Sequence, residues 1–344
     1  MAARSKTPIS MEARQVDELP HGEGWQYEPK WDGFRCIARR SGKRIELLGR
    51  SGKSLARYFP EMVETLATLE TQRFVLDGEL VIPTGKTLSF DALQMRLHPA
   101  ESRIRRLSGE TPAMLIAFDM LRTPDGTDLA THSLSERRTA LERFFATLGN
   151  QPRLRLSPAT EKRADAARWL ARAGGGALDG VVAKRLDEPY RAGERAMLKI
   201  KSLRSADCVV GGFRYATAKR SVGSLLLGLY NDEGLLDHVG FTSAIADDER
   251  AALTRKLEKL RGGPGFTGDA PGGPSRWSTE RSAQWEPIRS KLVVEVQYDQ
   301  VTGDRFRHGT RLLRWRPDKA PRQCTFDQLQ REATPSRLMR RIFA

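Results

Sequence analysis

The period of the apolar positions changes several times along this chain, and each change marks an element. RFVLDGELVIP (73–83) alternates like a half-buried strand, whereas PAMLIAFDML (112–121) is a nearly unbroken apolar run that reads as a buried one. RCIARRSGKRIELLGR (35–50) reads as two strands around a Ser-Gly-Lys turn, a hairpin. Residues 54–70, 134–148 and 161–173 instead carry apolar side chains at helical spacing. The segment 179–201 returns to strands and ends in MLKIKS.

After a short polar connector, SLRSAD (202–207), the character shifts to VVGGFRY, SLLLGLY, DHVGF and KLVVEVQYD, separated by glycine-containing turns. That profile predicts a small antiparallel barrel, interrupted by one helix (247–260) and a Gly/Pro-rich loop (262–274). The 344 residues, 39% of them hydrophobic, suffice for two cores. The expected boundaries are 1–203 and 204–344, the latter ending in a basic segment.

Charge adds a partner to this picture. The net charge is +15, and it is shared: residues 1–200 carry 33 basic and 26 acidic side chains, residues 201–344 carry 25 and 17. Such a field favours a polyanion facing both domains, because Lys and Arg release counterions from phosphates. Three cysteines lie far apart without a CxxC pair, so neither a disulfide framework nor a zinc module is expected, and a reducing cytoplasm is the natural compartment. The N-terminal MAARSKTPIS lacks an apolar signal core, and no run approaches the roughly 18 apolar residues of a membrane span.

Alternation along strands places chemistry on single faces. Glu28, Lys30 and Asp32 line up in EPKWDGFR, Asp77 and Glu79 in VLDGELV, and Lys199 and Lys201 in MLKIKS. One such pair alone reads as an ordinary solvated face. Their recurrence in otherwise apolar segments argues against that, since an unpaired buried ion costs several kcal/mol, of order ~3 or more.

In chain order the motifs are EPKWDGFR, LLGRSG, LDGEL, LIAFDML, DGVVAK, LKIK and RWRPDK. This ordered set, with Lys30-Trp-Asp-Gly-Phe-Arg35 matching KxDGxR, resembles the nucleotidyltransferase motifs of ATP-dependent polynucleotide ligases and the related mRNA capping enzymes. Residues 285–325 are similar to the C-terminal signature of bacterial ligases associated with end joining, ligase C and the ligase domain of ligase D. The RFRHGTRLLRWRPDKAP wording is nearer ligase C. The resemblance implies an α+β fold: an adenylation domain of antiparallel sheets flanked by helices, then an OB-fold β-barrel domain.

It also implies a nick-sealing DNA ligase of repair or end joining, using ATP with Mg2+ or Mn2+. Lys30 would be the nucleophile, although an ordinary lysine, with pKa about 10.4, is protonated at neutral pH and needs nearby cations or a metal to shed its proton. Glu28 would accept from the adenine amino group, and Phe118 would stack on the base. Arg35, Arg50 and Glu79 would hold the ribose and later the DNA phosphate. Lys184, Lys199 and Lys201 would neutralise the α-phosphate. Glu79 and Asp179 would bind the metal, and Arg316 and Lys319 would orient the departing pyrophosphate. The expected partner is nicked double-stranded DNA, with a repair polymerase or end-binding protein alongside, and the chain is expected to act as a monomer, away from membranes.

Two departures from the family pattern stand out. Asp179 replaces the usual glutamate, one methylene shorter, so the metal is expected to sit further off or behind a water. GRSG replaces SRNG, keeping Arg50 but not its neighbours. Two other readings share part of the pattern. A capping-type guanylyltransferase or RNA ligase would label with GTP or seal RNA. A non-catalytic OB-fold protein would bind nucleic acid without becoming adenylated. Trp31, Cys36 and Cys208 read as core packing, and the basic run RIRR (103–106) as a solvated loop or a DNA contact.

Overall fold

A computed structural model describes residues 10–329 apart from 86, 150, 174–176, 218 and 273–283. The basic C-terminal segment and part of the Gly/Pro-rich loop lie outside the described residues. The chain divides into two compact units at Ser202/Leu203.

The first unit holds two sheets. One has the order β1 (Ala13–Gln15), β11 (Met197–Lys201), β10 (Leu178–Arg185), β2 (Trp25–Trp31). The other runs β4 (Arg44–Gly49), β3 (Phe34–Ser41), β5 (Arg73–Val81), β8 (Met114–Arg122), β9 (Leu154–Leu156), and β6 (Pro83–Thr84) and β7 (Thr87–Leu88) form a small hairpin beside it. Pairing is antiparallel except β1 with β11 and β8 with β9. The β3–β4 hairpin, the strand at 73–81 and the buried strand at 114–122 fall where the sequence pattern puts them.

Helices cover the outer faces: α1 (Pro60–Thr68), α2 (Phe90–Arg96), α3 (Glu101–Glu110), α4 (Leu134–Thr147) and α5 (Arg163–Leu170). Pro60 opens α1 at a position whose amide has no helical partner. Ser133 and Glu136 close a reciprocal capping box on α4. The RIRR run is part of α3 rather than a loop. Ile104 is its buried anchor, while Arg105 pairs with Glu101 and Arg106 with Glu110 one turn away, so the charges support a surface helix. Trp31 is core, its indole N–H donating to Ser157 Oγ at 3.0 Å, and Cys36 and Cys208 are buried.

In the second unit the polar connector is short, because β12 (Arg204–Ala216) already begins within it. β13 (Lys219–Tyr230), β14 (Leu236–Thr242), α6 (Arg250–Glu258), β15 (Glu286–Pro287), β16 (Val293–Tyr298), β17 (Val301–Thr302), β18 (Arg305–Phe306) and β19 (Arg311–Trp315) follow. The main sheet runs β14-β13-β12-β16-β19, with β15 on β12. Among the described residues its ladder stays open, and its two edges meet through a single parallel bridge, Thr242 to Thr310. The sheet therefore curls toward a barrel without continuous closure.

His238 on β14 is buried in this sheet beside Arg305, edge-on to Phe266. Burial and the charges of Arg305 and Arg214 push its imidazole down to about 3, from the ordinary 6.5. Between those values the unfolded chain binds a proton that the folded chain refuses. The stabilisation is thus complete above about pH 6.5 and is lost as pH falls toward 3. Replacing His238→Gln should flatten the acid side of a denaturant-derived stability profile; equal slopes for both proteins between pH 4 and 7 would contradict this.

Candidate active site

The motif KWDGFR crosses between the two sheets: Lys30 and Trp31 close β2, Asp32-Gly33 makes the turn, and Arg35 lies on β3. A side chain at Gly33 would place Cβ 2.2 Å from the Leu80 carbonyl oxygen, so only glycine lets the turn pass that close to β5. Lys30 lies opposite Gly180 on β10, where the register shifts and two residues of β10 face one of β2. Gly180 has φ +152°, and a Cβ there would sit 2.0 Å from the Ile200 carbonyl. Asp179 is the residue displaced by this bulge. Its carboxylate meets Lys30 Nζ at 2.5 Å and Lys201 Nζ at 3.4 Å. Lys199 lines the same cleft, and its ammonium is held below the ordinary amine range by burial and by the charges of Lys201 and Lys30.

At the other end of the cleft the Phe118 ring lies 4.5 Å from the Arg35 guanidinium and 4.7 Å from Lys184 Nζ. Lys184 also grips both oxygens of buried Glu28, at 2.9 and 2.8 Å, and Gln26 donates to the same carboxylate at 2.7 Å. Arg35 makes a two-point contact with buried Asp77, 2.6 Å for each bond. Burial works against its charge, but Asp77 outweighs it and raises the guanidinium further above its usual range. Glu79 faces the cleft opposite Arg35. Burial pushes its carboxyl up to about 7, with Arg35 and Lys30 pulling the other way.

Residues 2–201 match the family model described as ATP dependent DNA ligase domain, and residues 218–319 match the ATP dependent DNA ligase C terminal region. The chain belongs to the ATP-dependent DNA ligase family. DNA ligase C2 of Mycolicibacterium smegmatis is 43% identical, covering 94% of this chain and 94% of that protein. DNA ligase C of Mycobacterium tuberculosis is 41% identical over 96% of each. A solved structure titled for Lig E DNA ligases covers 90% of this chain and all of that one, with a TM-score of 0.57 at 18% identity, a likeness of fold. The ligase thus has an adenylation domain followed by an OB-fold domain, and it uses ATP and acts on nucleic acid.

The remaining motif residues of this ligase are placed as follows. Arg50 is largely exposed and sits 3.5 Å from Glu12. Arg316 and Lys319 belong to the second unit, where both hold Asp207: Arg316 Nη1 at 2.9 and 3.0 Å, Lys319 Nζ at 2.7 Å. Among the described residues no three His, Cys, Asp or Glu gather as a metal cage. Asp179 nonetheless keeps one buried oxygen, Oδ1, without a partner, while Oδ2 takes the two ammonium groups. A lone buried carboxylate oxygen beside Lys30, in the wall of a cleft that Lys30 and Glu79 line, suits a hard, oxygen-preferring divalent ion. No helix among the described residues is long and apolar enough to cross a membrane.

Sequence reasoning assigned no role to Gln26, Asp207 or Tyr190. Gln26 and Asp207 lie beside quoted motifs and could have been found by asking which groups satisfy Glu28 and the RPDK cations. Tyr190 carries no local signal at all.

Proposed function

We propose that the ligase seals nicked DNA through a covalent lysyl-AMP on Lys30. Its amine would attack the α-phosphorus of ATP, forming a P–N bond as the P–O bond to pyrophosphate breaks. The ammonium must first lose a proton, and Asp179 is the carboxylate in contact with it. Phe118 would stack on adenine, with Glu28 at its exocyclic amine. Lys184, Lys199 and Lys201 would face the α-phosphate as charge builds there, with Lys184 also fixing Glu28, while Arg35 would serve the ribose and back the base seat. Glu79 and Arg50 would serve the ribose and the DNA phosphate, and Arg316 and Lys319 the departing pyrophosphate. A bound Mg2+ or Mn2+ ion, held by Asp179 and Glu79, would neutralise phosphate charge. Transfer of AMP to a 5′-phosphate, and attack by the neighbouring 3′-hydroxyl with release of AMP, complete the cycle.

The observation that carries this reading is the contact of Lys30 with Asp179 in a cleft whose other end offers Phe118 and a buried acceptor. Incubation with α-labelled ATP and magnesium, followed by a denaturing gel, tests it directly; an unlabelled protein band would refute it.

A net charge of +15 spread over both halves makes phosphate contact the main grip on the nick. With about six phosphate contacts, affinity should fall on the order of 10³-fold between about 50 and 200 mM salt. Titration of a fluorescent nicked duplex measures the slope, and a flat response contradicts the claim.

A further inference from the structure

The N-terminal segment forms part of the cleft wall: Ser10 through Gln15 all border it, and β1 pairs with β11 so that Gln15 stands beside Lys199. What holds this wall against the opposite sheet is a closed ring of hydrogen bonds. The Met11 amide donates to Tyr190 Oη at 2.8 Å, and the Tyr190 hydroxyl donates to Asp77 Oδ2 at 2.5 Å. Arg35 donates to both Asp77 oxygens and, through Nη2, back to the Met11 carbonyl at 3.4 Å. Asp77 is fully buried, and Met11 and Tyr190 nearly so.

A buried carboxylate needs donors on its lone pairs, and the ring supplies them. Burial and the Asp77 charge hold the Tyr190 hydroxyl well above its usual range, so it stays a donor throughout the working pH range. The same ring sets the position of Arg35, whose other neighbour is the Phe118 face at 4.5 Å. Tyr190 therefore touches two walls of the cleft and reaches neither Lys30 nor Asp179 by a hydrogen bond.

We propose that Tyr190 is a positioning residue for ATP: its hydroxyl locks the N-terminal strand to the arginine behind the base seat, fixing the spacing between the two walls that receive the nucleotide. The proposal rests on the cleft being the ATP site. It predicts a selective defect. Tyr190→Phe keeps the ring that packs with Met11, Ile37, Val75, Leu121 and Met197. It removes only the hydroxyl, leaving Asp77 one donor short and the Met11 amide without its acceptor.

The test compares two steps in the full-length protein. Lysyl-adenylate formation is followed against ATP concentration, and sealing of a pre-adenylated nick is followed without ATP. The KM for ATP should rise about tenfold, the factor expected from losing one hydrogen bond to a charged group, while the maximal rates at saturating ATP and at saturating pre-adenylated nick stay within about twofold. A merely structural role would lower both maximal rates together, and that result overturns the proposal, as does an unchanged KM. Failure of the unaltered ligase to form any lysyl-adenylate would instead remove the ATP-site reading on which the proposal stands.

Discussion

Lys30→Ala will yield no labelled protein with α-labelled ATP, a loss of at least about 10⁴-fold, the scale seen when a covalent nucleophile is removed. Lys30 is the amine on β2 that the bulge at Gly180 brings against Asp179. Lys199 lines the cleft and Lys201 pairs with Asp179, but both sit on β11, two strands away across β10, and cannot take over its attack line. The variant should remain folded, since Lys30 is partly exposed and the Asp179 carboxylate keeps Lys201 as a partner at 3.4 Å. It should also retain measurable sealing of a pre-adenylated nick, because that step begins after the lysine has finished its work. Normal adenylation by the alanine variant would refute the assignment. Loss of pre-adenylated sealing as well would point to damage beyond the nucleophile.

The largest effect on stability is expected from Arg96→Met. Arg96 is fully buried, and both of its terminal nitrogens are bonded although Nε is not: Nη2 reaches both Glu61 oxygens at 2.7 Å and the Tyr58 carbonyl at 2.9 Å, Nη1 reaches the Thr111 carbonyl, and the group lies over the Phe59 ring. Methionine fills much of the volume but leaves Glu61 buried with only the Ala113 amide as donor. Stranding a buried charge costs about 3–5 kcal/mol, which for a unit of this size lowers the melting point by roughly 10 °C. The double variant Glu61→Gln, Arg96→Met removes the stranded charge and should recover a good part of the loss. If the single and double variants melt together, the ion pair is not what matters there.

Much of the site was legible because its constraints are local. Gly33 and Gly180 are needed where the backbone passes within about 2.2 Å of where a Cβ would clash, and both stand inside the motifs that drew attention to Lys30 and Asp179. The strand faces carrying Lys199, Lys201 and Glu79 followed from alternation alone. What escaped depends on distant partners. Tyr190 meets Asp77 across 113 positions, and Lys184 meets Glu28 across 156, so no window of sequence contains either pair. Arg96 and Glu61 look like ordinary surface charges in the sequence; only their pairing across 35 positions, α2 to α1, buries them. The run RIRR misled for the opposite reason: two of its charges, Arg105 and Arg106, are satisfied one turn away, a periodicity that four consecutive letters cannot display.

The short passage from Lys30 to Arg35 has a mechanical consequence. Because Lys30 stands on one sheet and the Arg35 guanidinium, against the Phe118 ring, on the other, that short peptide acts as a covalent ruler that fixes the span between them. Adding a single residue to the turn would slide β3 by one register and send Arg35 to the opposite side of its strand. Both halves of the machinery would survive intact, yet out of gauge with each other.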